Sequence, residues 1–300
     1  MNENLTVTVR LKGGLGNQMF QYAMGRALAL RLKAALKLDI LSGFAVDTIF
    51  QRKYALQPFN IVDEYATPYE SYMTFLPVIR RKLSYLLGVV KKFDSKKYFR
   101  ENSYNFDSRL CHFVPRKKAV YLDGYWQSEK YFIDAEESIR EEFTLRESFN
   151  ARNEKYAADI RSCNSVSLHV RRADYVNHDE TRHRHFICEK EYYDKAIEIV
   201  GEKMANPHFF IFSDDPEWVN GSLSLDFPAT VISELGSEKA HEELVLMSLC
   251  QHNIIANSSF SWWGAWLNEN PTKIIISPKK WFNNIDVDMK DRLPLGWLGI

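Results

Sequence analysis

The chain has 300 residues, 45% of them apolar and 26% charged, which supports a sizeable core and suits two domains of about 150 residues each. Lys+Arg and Asp+Glu both number 39, so the formal net charge is zero. That balance argues against nucleic-acid binding as the main task, because phosphate backbones demand clustered positive charge, though it leaves room for a local basic patch.

The four cysteines, Cys111, Cys163, Cys188 and Cys250, lie far apart and form no C-x-x-C pair, the pattern of reduced thiols in a cytoplasmic protein. The N-terminal MNENLTVTVRLKGG has neither the basic region nor the apolar run expected of a signal peptide. No apolar stretch approaches the roughly 20 residues that span a bilayer.

Residues 5–12 alternate, with Leu5, Val7, Val9 and Leu11 on one side and Thr6, Thr8, Arg10 and Lys12 on the other. The alternation predicts a strand with one buried face. GGLGN (13–17) breaks it, residues 18–34 read as a helix rich in Ala, Leu and Met, and Leu36 to Ile40 as a second strand. The stretch from 60 to 120 has weak periodicity, and its segment 80–100 holds eight basic residues among Leu, Tyr, Val and Phe. That segment is either a solvated face or a peripheral anchor on anionic lipid. Residues 128–143 predict a surface helix.

From 165 onward strands and helices alternate: strands at 165–170, 208–213, 229–233, 253–257 and 273–277, helices at 188–203, 237–252 and 259–269. This order predicts a parallel sheet covered on both faces, with short apolar strands buried on both sides.

Distinctive polar residues follow these strands: Arg171, Arg172 and Asp174 after the first, Asp214 and Asp215 after FFIFS, Glu234 after ATVIS, and Ser258, Ser259 and Phe260 after NIIAN. Ligands of open parallel sheets bind outside the carboxyl ends of the strands. A guanidinium fork matches a phosphate and keeps its charge, so Arg171 and Arg172 are the strongest signal. Ser258 and Ser259 open a helix whose free N–H groups suit an anion or simply a cap, and Phe260 is either core or a stacking ring. Asp214 and Asp215 have three readings: a divalent metal, a base or ribose, or the cap of the helix that starts DPEW. His178, His183 and His185 fall in a polar segment, NHDETRHRH, that reads as a mobile loop or lid. Trp262, Trp263 and Trp266 share one helix and are either core or a sugar-stacking surface.

Gly14-x-Gly16 follows a strand and opens a helix, and Asp39 ends the next strand, which nearly spells a dinucleotide fingerprint and suggests an NAD(P)-dependent oxidoreductase. Met19 stands where a third glycine belongs, and the alternating first strand is unlike a wholly apolar central one. The loop otherwise either offers its N–H groups to a phosphate or sugar, with Asn17 and Gln18 as polar tips, or is a structural turn. A non-catalytic carbohydrate-binding protein is a third reading, from the 14% aromatic content.

GGLGNQMFQYA (13–23), YLDGYWQSEKYF (121–132), HVRRADY (169–175), FSDD (212–215) and NSSFSWWGAWL (257–267) together resemble the bacterial and animal α-1,2-fucosyltransferases, glycosyltransferase family 11. The resemblance spans nearly the whole chain; Ala173 stands where the family often has glycine. It implies an α/β, GT-B-like fold of two Rossmann-like domains with an intervening cleft: 1–150 on the acceptor side and 151–300 holding GDP-fucose. It implies an inverting transfer without metal or other cofactor onto the 2-hydroxyl of a terminal galactoside, such as lactose or an O-antigen repeat. In this reading Arg171 or Arg172 binds the diphosphate, Asp214 or Asp215 meets guanine or ribose, Ser258 and Ser259 meet phosphate, and Phe260 the base. Asp174 and His169 are the candidates for a proton acceptor. The expected address is the cytoplasm, with peripheral contact to the inner membrane.

Overall fold

A computed structural model of the chain describes every residue except 1–4, 69, 72–97, 116–117, 174–178, 224, 233–238 and 284–287. Asp174, His178, Glu234 and most of the basic segment 80–100 therefore lie outside the described residues. The chain forms two compact units, Met1–Thr144 and Leu145–Ile300.

The first unit carries β1 (Thr6–Arg10), α1 (Leu15–Leu32), β2 (Ala35–Asp39), β3 (Tyr98–Arg100), β4 (Ala119–Asp123) and α2 (Glu136–Glu142). Its sheet has the order β2-β1-β4-β3, and every pairing is parallel. The sequence predicts one solvated face for β1, and the structure corrects this. The strand is interior, flanked by β2 and β4, and Thr8 is only 5% exposed. A threonine in an interior parallel strand is buried whatever its polarity, so alternation in the sequence did not mean a wet face. The helix expected over 128–143 is broken into two 3-10 turns, Glu129–Tyr131 and Ile133–Ala135, before α2 begins. Phe132 at the junction leaves helical geometry (φ −140°), and the segment buries Tyr131, Phe132 and Ile139 instead of lying on the surface.

The second unit carries α3 (Ala151–Arg161), β5 (Ser165–Val170), α4 (Asp179–Arg184), α5 (Lys190–Lys203), β6 (His208–Ser213), α6 (Pro216–Ser222), β7 (Ala229–Val231), α7 (Ala240–Leu249), β8 (His252–Ile254), α8 (Ser259–Trp266), β9 (Ile275–Ser277), α9 (Met289–Arg292) and β10 (Leu298–Gly299). The order is β10-β9-β8-β5-β6-β7, parallel throughout. Strand β6 shows why the core has two sides. Phe209 and Ile211 pack into a cluster with Val166, Leu168, Ile197 and Val200, while Phe210 and Phe212 enter another with Ile160, Leu246 and Met247. Successive side chains of a strand point to opposite faces, and here both faces are covered.

In the second unit the chain leaves the adjacent strands β5 and β8 in opposite directions, toward β6 and β9. That is a topological switch point, and the crevice outside the carboxyl ends of such strands is where open α/β sheets bind ligands.

Candidate active site

The switch point of the second unit brings together the segments that follow β5 and β8. Their pairing runs from Val166 with His252 to Leu168 with Ile254, so Arg171–Arg172 and Ser258–Phe260 emerge on one rim. The His169 and Phe260 rings, 5.6 Å apart, mark where the two segments meet.

Asp214, after the neighbouring β6, organises the arginines. One carboxylate oxygen pairs with Arg171 Nη1 at 3.2 Å, and the other accepts the Arg172 backbone N–H at 2.8 Å. Arg172 then turns under the rim. Its guanidinium carbon lies 4.3 Å from the centre of the Trp218 ring, and Nη1 donates to the Cys188 carbonyl at 3.3 Å and to Glu189 Oε2 at 3.0 Å. Asp215 serves α6: its Oδ1 accepts the Trp218 N–H at 3.0 Å, so of the two carboxylates it is the one that takes the capping role. The same cap sets Trp218 beneath Arg172.

Ser258 caps α8, its hydroxyl accepting the Phe260 N–H at 3.3 Å. Ser259 and Phe260 are partly exposed at that helix's amino end. Trp262, Trp263 and Trp266 are buried against one another and Trp297, which makes them core and removes the sugar-stacking reading for them.

His169 is 4% exposed and its Nδ1 has no hydrogen-bond partner among the described residues. Burial, and then the charge of Arg171, lower its pKa to about 3, so the ring is neutral near pH 7. His185 is held at about 4 by burial and by the charges of Arg184, Arg292 and Arg171. Four guanidiniums thus gather on and under this rim. Arg292 is buried between the Trp281 and Phe282 rings, at 5.0 and 5.2 Å.

The sequence reading of NHDETRHRH (177–185) as a mobile loop is corrected over its described part. Asp179–Arg184 is helical, His185 bridges Phe282, and Phe186 N donates to the Trp281 carbonyl at 3.1 Å. Asn257 ties this segment down: its amide nitrogen donates to the carbonyls of Phe186 at 2.6 Å and Trp281 at 3.1 Å. Sequence reasoning missed Asn257, Glu189, Trp218 and Arg292, because each acts on a partner remote in the chain. The only advance signal was the tryptophan three residues beyond the Asp215 cap.

The glycine loop belongs to the first unit, and its residues divide. Gln18 is buried, its amide donating to the Gly13 and Lys53 carbonyls at 2.8 and 2.9 Å and accepting the Ala55 N–H at 2.9 Å. This corrects the expectation of a ligand-facing tip: every polar atom of the side chain is engaged by the chain itself. Asn17 stays partly exposed and accepts from Gln127 at 2.6 Å. Gly14 caps α1 in an extended conformation with open space where a Cβ would stand, and Gly16 is buried. The left-handed position is Gly13, φ +77°. Asp39, the ribose ligand of the dinucleotide reading, is fully buried, its oxygens accepting from Leu41 N, Ser42 N, Ser42 Oγ and Tyr121 OH at 2.6–3.0 Å. No lone pair is left for a ribose, so the oxidoreductase reading lapses.

Two parallel-sheet units, the second with a cationic switch point, define a GT-B-like glycosyltransferase fold. The profile of glycosyl transferase family 11 matches residues 1–300, and the chain belongs to that family. It is 35% identical over 298 residues to the alpha-1,2-colitosyltransferase of Escherichia coli, covering 98% of both chains. It is 33% identical to the O-antigen biosynthesis glycosyltransferase WbnK of Escherichia coli, covering 91% of this chain and 93% of that one. Among solved structures it resembles the NodZ alpha-1,6-fucosyltransferase soaked with GDP-fucose, with a TM-score of 0.52 at 16% identity, over 88% of this chain and 93% of that one. That last likeness concerns the fold. Among the described residues no helix is long and apolar enough to cross a membrane.

Proposed function

We propose that the chain is an inverting, metal-independent galactoside α-1,2-fucosyltransferase that moves L-fucose from GDP-fucose to the 2-hydroxyl of a terminal galactose in bacterial surface-glycan synthesis. The second unit takes the donor and the first the acceptor. The observation that carries this reading is the meeting of Arg171, Arg172 and the amino end of α8 at one switch point.

As the bond to the fucosyl carbon breaks, negative charge grows on the β-phosphate of GDP. Arg171 and the Ser259 amide at the start of α8 are fixed donors for that charge, and one preorganised donor is worth about 3 kcal/mol at a transition state. The fucosyl group passes through an oxocarbenium-like state. The acceptor hydroxyl attacks from the face opposite GDP and inverts the β-linked donor to an α-product. His169, buried, packs its ring against Phe260, and Asp174 is the proton acceptor to test first. Asp214 is engaged with Arg171 and Asp215 with a helix terminus, which supports guanidinium in place of metal neutralisation.

A second reading has its own support: the 35% identical relative transfers colitose, which is fucose without the 3-hydroxyl. The test supplies lactose with GDP-fucose or GDP-colitose, with and without EDTA, and identifies the product. 2′-Fucosyllactose formed in EDTA is the expected result. Transfer from GDP-colitose alone selects the second reading, and loss of activity in EDTA removes the metal-free mechanism.

A further inference from the structure

In the first unit β1 and β4 lie side by side at the centre of the parallel sheet, and their carboxyl ends share one edge. The segments leaving those strands, Lys12–Asn17 and Asp123–Gln127, are joined there by side chains. Lys12 Nζ donates to Asp123 Oδ1 at 2.8 Å and lies 4.8 Å from the centre of the Tyr125 ring. Gln127 donates to Asn17 Oδ1 at 2.6 Å. Tyr125, Gln127, Asn17 and Lys12 are all partly exposed.

The turn that presents Tyr125 and Gln127 is held in a costly shape. Trp126 between them has φ +54°, a conformation that L residues with bulky side chains rarely adopt. The Glu101 carboxylate enforces it by accepting the N–H groups of Tyr125 at 2.6 Å and Trp126 at 3.1 Å. Gly124 is required by contact: a Cβ there would stand 2.5 Å from Glu101 Cβ and 2.6 Å from the Trp126 ring. Trp126 is buried, and its indole N–H and the Ser128 hydroxyl have no partner among the described residues. Strain of this kind persists only where the surroundings over-determine it, and it concentrates at ligand sites.

Charge selects the ligand. Arg10 and Lys12 both pair with Asp123, and Asp39 lies buried beside them, so two cations face two carboxylates. This is unlike the guanidinium-rich rim of the second unit and offers no surplus for a phosphate. An aromatic ring flanked by two amides and an ammonium suits a neutral pyranose, whose C–H face stacks on the ring while its hydroxyls take donors and acceptors.

We infer that the carboxyl end of the β1–β4 pair is a pyranoside-binding site, with the Tyr125 ring as its stacking face and Gln127, Asn17 and Lys12 as the hydroxyl partners. It rests on the reading in which the first unit takes the acceptor, and it assigns that sugar to the Asp123–Gln127 turn.

The test measures binding of lactose and, separately, of GDP to the wild type, Tyr125→Leu, Tyr125→Phe and Gln127→Ala by ligand-observed NMR. Far-UV and near-UV circular dichroism verify the fold. The Kd for lactose rises about tenfold in Tyr125→Leu and about threefold in Gln127→Ala, with a smaller loss in Tyr125→Phe, while the Kd for GDP stays within about twofold. An unchanged lactose Kd in Tyr125→Leu and Gln127→Ala overturns the inference. So does a wild type that binds no lactose, or a GDP affinity that falls with the lactose affinity. The donor reading is scored separately by wild-type turnover of GDP-fucose. Fucose transfer with unaltered lactose binding in the variants defeats the inference alone, whereas lactose binding lost in Tyr125→Leu without wild-type fucose transfer defeats the donor reading alone.

Discussion

The guanidinium carbon of Arg172 lies 4.3 Å from the centre of the Trp218 ring, with Glu189 and the Cys188 carbonyl holding its Nη1. Arg172 is thereby a fixed cation under the β5–β8 rim, and Arg171, held by Asp214, stands nearer the surface.

Arg172→Lys keeps the charge but loses the planar fork and the stacking face. We expect kcat/KM for GDP-fucose to fall at least about tenfold, while Trp218→Leu, which removes only the ring, costs about fivefold, or about 1 kcal/mol. Steady-state kinetics beside thermal unfolding separate this from misfolding: a midpoint shift large enough to explain the loss would show that Arg172 is merely structural.

Asp214 makes two different bonds, and two substitutions separate them. Asp214→Asn keeps an oxygen for the Arg172 N–H but loses the charge that holds Arg171; Asp214→Ala loses both. The alanine variant is expected to bind GDP about tenfold more weakly than the asparagine variant, since a backbone N–H left unpaired in a partly buried site costs about 1–3 kcal/mol. Calorimetric titration with GDP decides, and equal affinities would show that Asp214 does not order the rim through that amide.

His169 predicts an acid weakness. Its folded pKa, lowered to about 3 by burial and then by Arg171, lies below the ordinary 6.5. Between those values the unfolded chain binds a proton that the folded chain refuses, so stability is complete above about pH 6.5 and falls as pH drops toward 3. At about 1.4 kcal/mol per pH unit, His169 alone removes about 2 kcal/mol by pH 5, and His185, held at about 4, acts in the same direction. Urea midpoints at pH 7 and pH 5 measure the slope. His169→Gln should flatten it, and a wild-type midpoint independent of pH in that window would contradict a buried neutral ring.

The glycine loop separates conformational need from space. Gly13→Ala places a Cβ at φ +77° and 2.8 Å from Asn17 Nδ2, and is expected to destabilise by about 1–2 kcal/mol. Gly14→Ala meets nothing within 4 Å and should fall within about 0.5 kcal/mol of the wild type. Gln18→Ala abandons three partly buried backbone hydrogen bonds and should cost about 1–2 kcal/mol with little effect on the KM of either substrate. Equilibrium denaturation orders the three. A Gln18→Ala protein of full stability but raised KM would return that side chain to the ligand.

Much of the second unit was legible in the sequence because its signals are local. HFFIFS and SVSLHV are short apolar-rich runs alternating with helices, and the strand-end positions of Arg171, Asp214 and Ser258 follow from the βαβ pattern. The first unit was harder. Thr8 alternates with valines in sequence and is buried in space, and residues 128–135 carry helix formers yet fold as two 3-10 turns around buried aromatics. Burial is a property of neighbours, and the neighbours here are strands and helices far along the chain.

The sequence by itself determined the alternation of strands and helices, the family, and the places where arginines, carboxylates and serines leave the sheet. Those follow from periodicity and from residue chemistry, which act over a few positions. Tertiary structure alone decided which carboxylate orders Arg171 and which caps a helix, that Gln18 and Asp39 turn inward, and that Tyr125 and Lys12 stand together. Each of those outcomes depends on strand order, because a hydrogen bond or ion pair forms only between groups that the sheet brings within about 3–4 Å of each other.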